Sequence, residues 1–470
     1  MFDFTTLPDR HGHDALAVDA IGEDNGDPLM RPPAAPRDGY DAIPMWVADM
    51  NFATAPAVTD AIAARLAHPL FGYFEPTQAY YDAIIGWHRR RNGVTGLKPE
   101  HIGYENGVLG GVVSALRAFA TPGDAVLVHS PTYNGFTMTI EGAGFRLEHS
   151  PLRRDADGVW RMDYEDMDRR LKAKRIHAAV FCSPHNPTGR VWERWEIERA
   201  MDVFRANDCV VISDEIWSDL ILDRAVHPHI PTQSVGEDAR RRTIALYAPS
   251  KTFNLAGLIG SYHVVYDPYL RDRLTAVESK TPYNEMNVLS MHALIGAYSR
   301  EGEAWLDELL GVLAGNLRIG YRFFAGDAAA GEADAAGAAG VPGVEVARPQ
   351  GTYMLFLDCE RWCAEHRDEL LEAARRRAAA SDATGVSGVS GGVGGTLSGE
   401  SDGTGAFPPL LRPDADPCMD ELLRQGWDVG VAWQDGRAFA GRHTIRMNFA
   451  LPEARVREAL HRLATHVFTR

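Results

Sequence analysis

Four short apolar runs, each followed at once by polar or turn-forming residues, constrain the fold of this chain more than any other feature. They are Ala125 to His129, Ala178 to Cys182, Cys209 to Ser213 and Thr243 to Tyr247. Runs of this length and composition have the character of strands buried on both faces. Helix-like segments lie between them, and strands alternating with helices build a mostly parallel sheet. The expected fold class is therefore α/β. In such sheets ligands bind beyond the carboxyl ends of the strands, so the residues that follow each run form the candidate site.

The strongest of these is Lys251, one of only five lysines beside 43 arginines. It sits in Ala248-Pro249-Ser250-Lys251-Thr252-Phe253-Asn254-Leu255-Ala256-Gly257, between the run ending at Tyr247 and another from Gly260 to Val265. An amine between two buried strands must be paired or lose its proton. Neutral, it is a nucleophile suited to a Schiff base with an aldehyde. Lys98, Lys172, Lys174 and Lys280 lie in loops or polar surroundings. A covalent lysine implies a carbonyl cofactor.

The other strand ends supply a holder for one. Asp214 follows the run ending at Ser213, and a carboxylate there keeps a pyridine nitrogen protonated, which makes pyridoxal phosphate a better electron sink. Asn186, in Ser183-Pro184-His185-Asn186-Pro187-Thr188-Gly189, has an amide suited to a phenolic oxygen. Glu105-Asn106-Gly107-Val108-Leu109-Gly110-Gly111 opens an apolar helix running through Val112, Leu116 and Phe119. Amides at a helix start bind anions, and glycines let a phosphate approach. Tyr133, after the first run, places an aromatic ring where it stacks on a flat cofactor. Singly, each feature is also a strand-end turn, a proline-rich loop or an ordinary helix start. Together they fit the parts of one molecule, pyridoxal phosphate.

These residues resemble the fold-type I pyridoxal-phosphate enzymes of the class I/II aminotransferase superfamily, and within it the cystathionine β-lyase (C–S lyase) subgroup. The likeness runs from Pro44-Met45-Trp46-Val47-Ala48-Asp49-Met50-Asn51-Phe52 to Arg446-Met447-Asn448-Phe449-Ala450. It implies a large domain with a mostly parallel sheet and a smaller α+β domain. It implies that Lys251 carries the cofactor, that Asp214 pairs with the ring nitrogen and that Asn186 meets the phenolic oxygen. Tyr133 would stack on the ring, and the Val108 and Leu109 amides with Ser250 would hold the phosphate. Tyr73, in Phe71-Gly72-Tyr73, would reach the phosphate in the neighbouring subunit of a homodimer with shared sites. Arg446 would fork onto the substrate α-carboxylate. Two positions depart from the aminotransferase pattern: Ile259 stands where many members carry a phosphate-binding arginine, and Trp217, on the cofactor's side of the site, where many carry tyrosine. Both departures favour the lyase, which cleaves L-cystathionine or a related cysteine S-conjugate to a thiol, pyruvate and ammonia. An aminotransferase with the same residues is the alternative, and a cofactor-bound regulator with little turnover a remote one.

Composition narrows the remaining classes. A net charge of −16 argues against nucleic acid and anionic membranes as partners. The opening residues carry no basic-then-apolar signal and no apolar run is long enough to span a bilayer, so a cytoplasmic location is expected. Five scattered cysteines do not make a disulfide framework, and Cys359, Cys363 and His366 match no familiar zinc spacing, so no metal is expected. The expected organisation is an arm over residues 1–55, a large domain over 56–305 and a small domain over 306–470. A connecting helix is expected over Ala304 to Phe324. Residues 378–406, rich in Ser, Gly and Thr, are expected to be a disordered insertion without catalytic work, and Ala328 to Ala339 forms a second, Ala/Gly-rich interruption.

Overall fold

Six strands running one way and a single strand opposing them make the central sheet. The structure is a computed structural model and describes residues 1–23, 25–26, 30–280, 283–326, 340–384 and 415–469. The strands are β1 (Ile102–Glu105), β2 (Ala125–Ser130), β3 (Arg146–Pro151), β4 (Ala178–Cys182), β5 (Val210–Asp214), β6 (Thr243–Tyr247) and β7 (Ser261–Val264). They pair in the order β1-β7-β6-β5-β4-β2-β3. Only β7 is antiparallel to its neighbours. The central strands β4 and β6 are buried along their whole length, as their unbroken apolar sequence requires. At the edge, β3 carries mostly polar, half-exposed residues, which discourages further pairing.

A second, antiparallel sheet is built from β8 (Glu345–Val346), β9 (Met354–Asp358), β10 (Gln434–Asp435) and β11 (Thr444–Asn448), in the order β8-β9-β11-β10. The helix Arg300–Ala325 joins the two sheets. Its Trp305, Leu309 and Leu313 pack into one core with Met50, Phe52 and Phe253. One and two turns further on, Leu317 and Phe324 enter another with Leu355, Leu357 and Met447. The spacing of four thus lays one apolar stripe across both cores.

Several boundaries differ from the sequence reading. Asp214 is the last residue of β5 rather than the first beyond it, and Glu105 ends β1 instead of opening the helix, which starts at Val108. The expected arm over residues 1–55 contains a short helix, Leu16–Asp19, and a strand, Ile43–Pro44, that pairs in parallel with Val431–Ala432. Ile43 and Met45 are fully buried, so distant packing rather than local propensity fixes that strand. Residues 378–384, expected to open the insertion, instead belong to the helix Arg367–Thr384. Residues 385–406 and 328–339 lie outside the described residues.

Candidate active site

The site forms where the carboxyl ends of β4, β5 and β6 face β10 and β11 and the segment Trp46–Met50. After β6 the chain turns through Ser250 and Lys251, tightened by bonds from Phe253 N to Pro249 O (2.8 Å) and from Leu255 N to Ser250 O (2.9 Å). The turn aims the partly buried Lys251 amine inward, where Nζ donates to the Ala48 carbonyl at 2.9 Å. Loss of surrounding water and the positive charge of Arg446 push its pKa down to about 8, against a smaller opposing pull from Asp49 and Asp214. A neutral nucleophilic amine is thus within reach near physiological pH.

Asp214 is buried at the end of β5, in register with Cys182 on β4. Its Oδ1 accepts from Ile216 N at 3.1 Å. Burial pushes its carboxyl up to about 7, so a nearby cation would be needed to keep it ionised. Asn186, in the loop after β4, accepts from Arg446 Nη1 through Oδ1 at 3.2 Å. That bond uses the amide oxygen and does not involve the two amide hydrogens.

Arg446 is the centre of β11 and is buried. Its Nη2 donates to the Trp46 carbonyl (3.0 Å) and to Gln434 Oε1 (2.5 Å). Its guanidinium lies 4.4 Å from the centre of the Phe439 ring, a cation–π contact. Desolvation lowers its pKa to about 10, which still leaves it charged at neutral pH. Its Nε is buried and has no partner among the described residues. Tyr133 senses both Arg446 and Asp214 electrostatically while burial raises its hydroxyl pKa. Its ring covers Gly135, where an added Cβ would come within 2.4 Å of Tyr133 Cε1, so only glycine lets the ring lie there.

Val108 and Leu109 begin the helix Val108–Phe119, preceded by Gly107 at φ 79°. Amides of a first helical turn have no intrahelical acceptor and attract anions. Ile259 stands beside this start, with Cγ2 3.8 Å from where a Gly107 side chain would begin. The Ser250 hydroxyl makes no hydrogen bond among the described residues. Trp217 is buried edge-on against Tyr353, with ring centroids 4.7 Å apart, and belongs to the core beneath the site. Tyr73 is fully exposed and is not brought to these residues within its own chain.

The sequence reading missed the groups that tie the site together. The Ala48 carbonyl also accepts from Tyr353 Oη at 2.9 Å. Asn448 Nδ2 donates to the Val47 and Asp49 carbonyls at 2.7 and 2.6 Å. Backbone carbonyls carry no sequence signal, and Gln434 looks like any strand residue until β10 is paired. Another unforeseen cluster, Glu105, His263 and Glu278, brings its ligand atoms within 4.8 Å. Burial pushes Glu105 up to about 7 and Glu278 up to about 8. Ser114 and Asn284 also bond to Glu105.

With this geometry in place, comparison with known proteins is informative. The family described as aminotransferase class I and II matches residues 41–316. The chain is 35% identical over 318 residues to "Cystathionine beta-lyase PatB" of Bacillus subtilis (strain 168), covering 68% of this chain and 78% of that one. It is 31% identical over 360 residues to "Protein MalY" of Escherichia coli (strain K12), covering 76% and 84%. Among solved structures, cystalysin from Treponema denticola, which contains pyridoxal 5'-phosphate, superposes with a TM-score of 0.74 at 25% identity over 98% of both chains.

Proposed function

The chain belongs to the aminotransferase class I and II family, and from that premise we propose a carbon–sulfur β-lyase dependent on pyridoxal phosphate. Its substrate is L-cystathionine or a related cysteine S-conjugate, and its products are a thiol, pyruvate and ammonia. One observation carries the reading: an amine of lowered pKa, a buried carboxylate and a buried guanidinium with an unpartnered Nε converge at the strand ends. The names of the relatives support the lyase over the plain aminotransferase.

These residues fit the cofactor. Lys251 offers the amine for its aldehyde, Asp214 a carboxylate for its ring nitrogen and Asn186 an amide hydrogen for its phenolic oxygen. The Val108 and Leu109 amides with Ser250 suit its phosphate, and Tyr133 its ring face. When bound, the cofactor supplies an electron sink for a carbon that loses its proton.

The chain's own residues do the rest. Arg446 binds the α-carboxylate and so fixes the orientation of the Cα–H bond. Lys251 Nζ, neutral above about pH 8 in the free protein, accepts that proton as general base. The Cβ–S bond breaks with its electron pair on sulfur, which leaves as the thiol after protonation. One water completes the balance, giving pyruvate and ammonia from the remaining three-carbon fragment. Burial raises the Asp214 carboxyl to about 7, so its negative charge would be favoured beside a protonated ring nitrogen and would hold that proton in place. The Trp46–Met50 segment, held by Asn448 and Asn254, walls the site from water.

The same proposal includes a cytoplasmic homodimer in which Tyr73 completes the partner's phosphate site, and the division into arm, large domain and small domain. The exposure of Tyr73 together with Leu70 and Phe71 supports the shared site. Incubation with L-cystathionine in the absence of any keto acid tests the activity. Pyruvate and thiol in equal amounts are expected. Turnover that requires an added keto acid would make the chain an aminotransferase instead.

A further inference from the structure

Gln434 holds the place that a substrate carboxylate needs, an inference that rests on Arg446 being the carboxylate site. A guanidinium offers five N–H groups, and a carboxylate takes two parallel ones. Two edges allow this, Nη1 with Nη2 or Nε with Nη2, and both use Nη2. In this chain Nη2 donates twice, to the Trp46 carbonyl at 3.0 Å and to Gln434 Oε1 at 2.5 Å. Nη1 gives one bond to Asn186, and Nε is buried without a partner. A carboxylate therefore displaces one acceptor from Nη2.

The Trp46 carbonyl is not free to leave. It precedes a segment that Asn448 grips through the carbonyls of Val47 and Asp49, and the Trp46 indole is itself anchored to the Ala17 carbonyl at 2.9 Å. Gln434 is different. It is a side chain on the edge strand β10, directly across from Arg446 in the register of β10 and β11. We infer that its amide oxygen occupies the seat of one carboxylate oxygen and gives way when substrate binds, with the unpartnered Nε marking the other seat.

Gln434 is thus a positioning residue that also sets affinity. Without substrate it is one of three acceptors of the buried Arg446 charge, beside the Trp46 carbonyl and Asn186. Being neutral and offering one oxygen, it lacks the opposite charge and the two-oxygen fork with which a carboxylate binds a guanidinium, so a carboxylate replaces it. A glutamate at the same position would compete on equal terms.

The test uses cofactor-loaded wild-type protein, Gln434→Glu and Gln434→Met, titrated calorimetrically with L-alanine and with ethylamine, which lacks the carboxylate. Gln434→Glu should weaken L-alanine binding about tenfold, and Gln434→Met should strengthen it about threefold. Ethylamine affinity should stay the same in all three. With L-cystathionine, KM should follow these shifts while kcat stays within about twofold. Weaker L-alanine binding in both variants, or equal shifts for ethylamine, would give Gln434 a merely structural role and overturn the inference. If Gln434→Met does not fold, the isosteric Gln434→Glu decides alone, and unchanged L-alanine affinity overturns it. Wild-type protein that binds L-alanine no tighter than ethylamine would instead remove Arg446 as the carboxylate site, and this inference with it.

Discussion

At the scale of single residues, Lys251 and Asp214 owe their chemistry to opposite consequences of burial. Desolvation disfavours whichever form is charged, so it lowers the amine to about 8 and raises the carboxyl to about 7. The sign for the lysine is direct: below its pKa the amine is protonated and inert, above it neutral and reactive. Reductive methylation of cofactor-free protein, read lysine by lysine by mass spectrometry, should therefore show Lys251 reacting with a midpoint near pH 8. Exposed lysines should lag toward their ordinary value of about 10.4. A Lys251 midpoint among theirs would refute the shift. In the loaded protein, borohydride should fix the cofactor on Lys251, and Lys251→Ala should abolish the adduct while leaving the fold intact. Asp214→Asn should cut turnover by about a hundredfold or more, equivalent to about 2.7 kcal/mol of barrier, with cofactor content largely kept. Near-normal turnover would end the assignment of Asp214 as the charge that holds the ring proton. Both residues were legible in the sequence because Asp214 adjoins one apolar run and Lys251 lies in the short turn after another, and that local pattern survives folding.

At the scale of elements, the site depends on how three distant segments are clamped. Arg446 reaches Trp46 across 400 positions of sequence, and Lys251 reaches Ala48 across 203. Asn448, two residues beyond Arg446 on the same strand, fixes the segment between these contacts and is almost wholly buried. Replacing it with alanine leaves the part-buried Val47 and Asp49 carbonyls without their donor, at about 1–3 kcal/mol together. Asn448→Ala should lower the urea denaturation free energy by an amount in that range and raise KM for L-cystathionine. Unchanged stability and KM would show that the segment stays in place without Asn448. The Trp46–Asp49 stretch was visible in the sequence as part of a family likeness. Its working part, a row of main-chain carbonyls, is the same in every residue and so leaves no mark there.

At the scale of the whole molecule, the exposed stretch Leu70, Phe71 and Tyr73 lies apart from the site its own chain builds. The proposed homodimer gives it a destination, the phosphate held by the partner's helix start. Ile259 beside that start adds no charge, so hydroxyls and amides must hold more of the phosphate. Tyr73→Phe should release cofactor more readily on dialysis. Mixing that variant with Lys251→Ala should recover activity, because one site of each mixed dimer is fully native. Sedimentation of the loaded protein as a monomer, or mixtures without recovered activity, would rule out the sharing. By itself the sequence determined the class of fold, since short β-branched and apolar runs alternating with helix-like segments fit a sheet covered by helices. It determined which lysine and which carboxylate stand at the strand ends, because strand and functional residue are neighbours in the chain. Only the tertiary structure decided that Gln434 opposes Arg446, that Ile43–Pro44 is a strand and that Trp217 belongs to the core. Each of those depends on pairing or packing between separate elements, and tertiary contact rather than local propensity selects it.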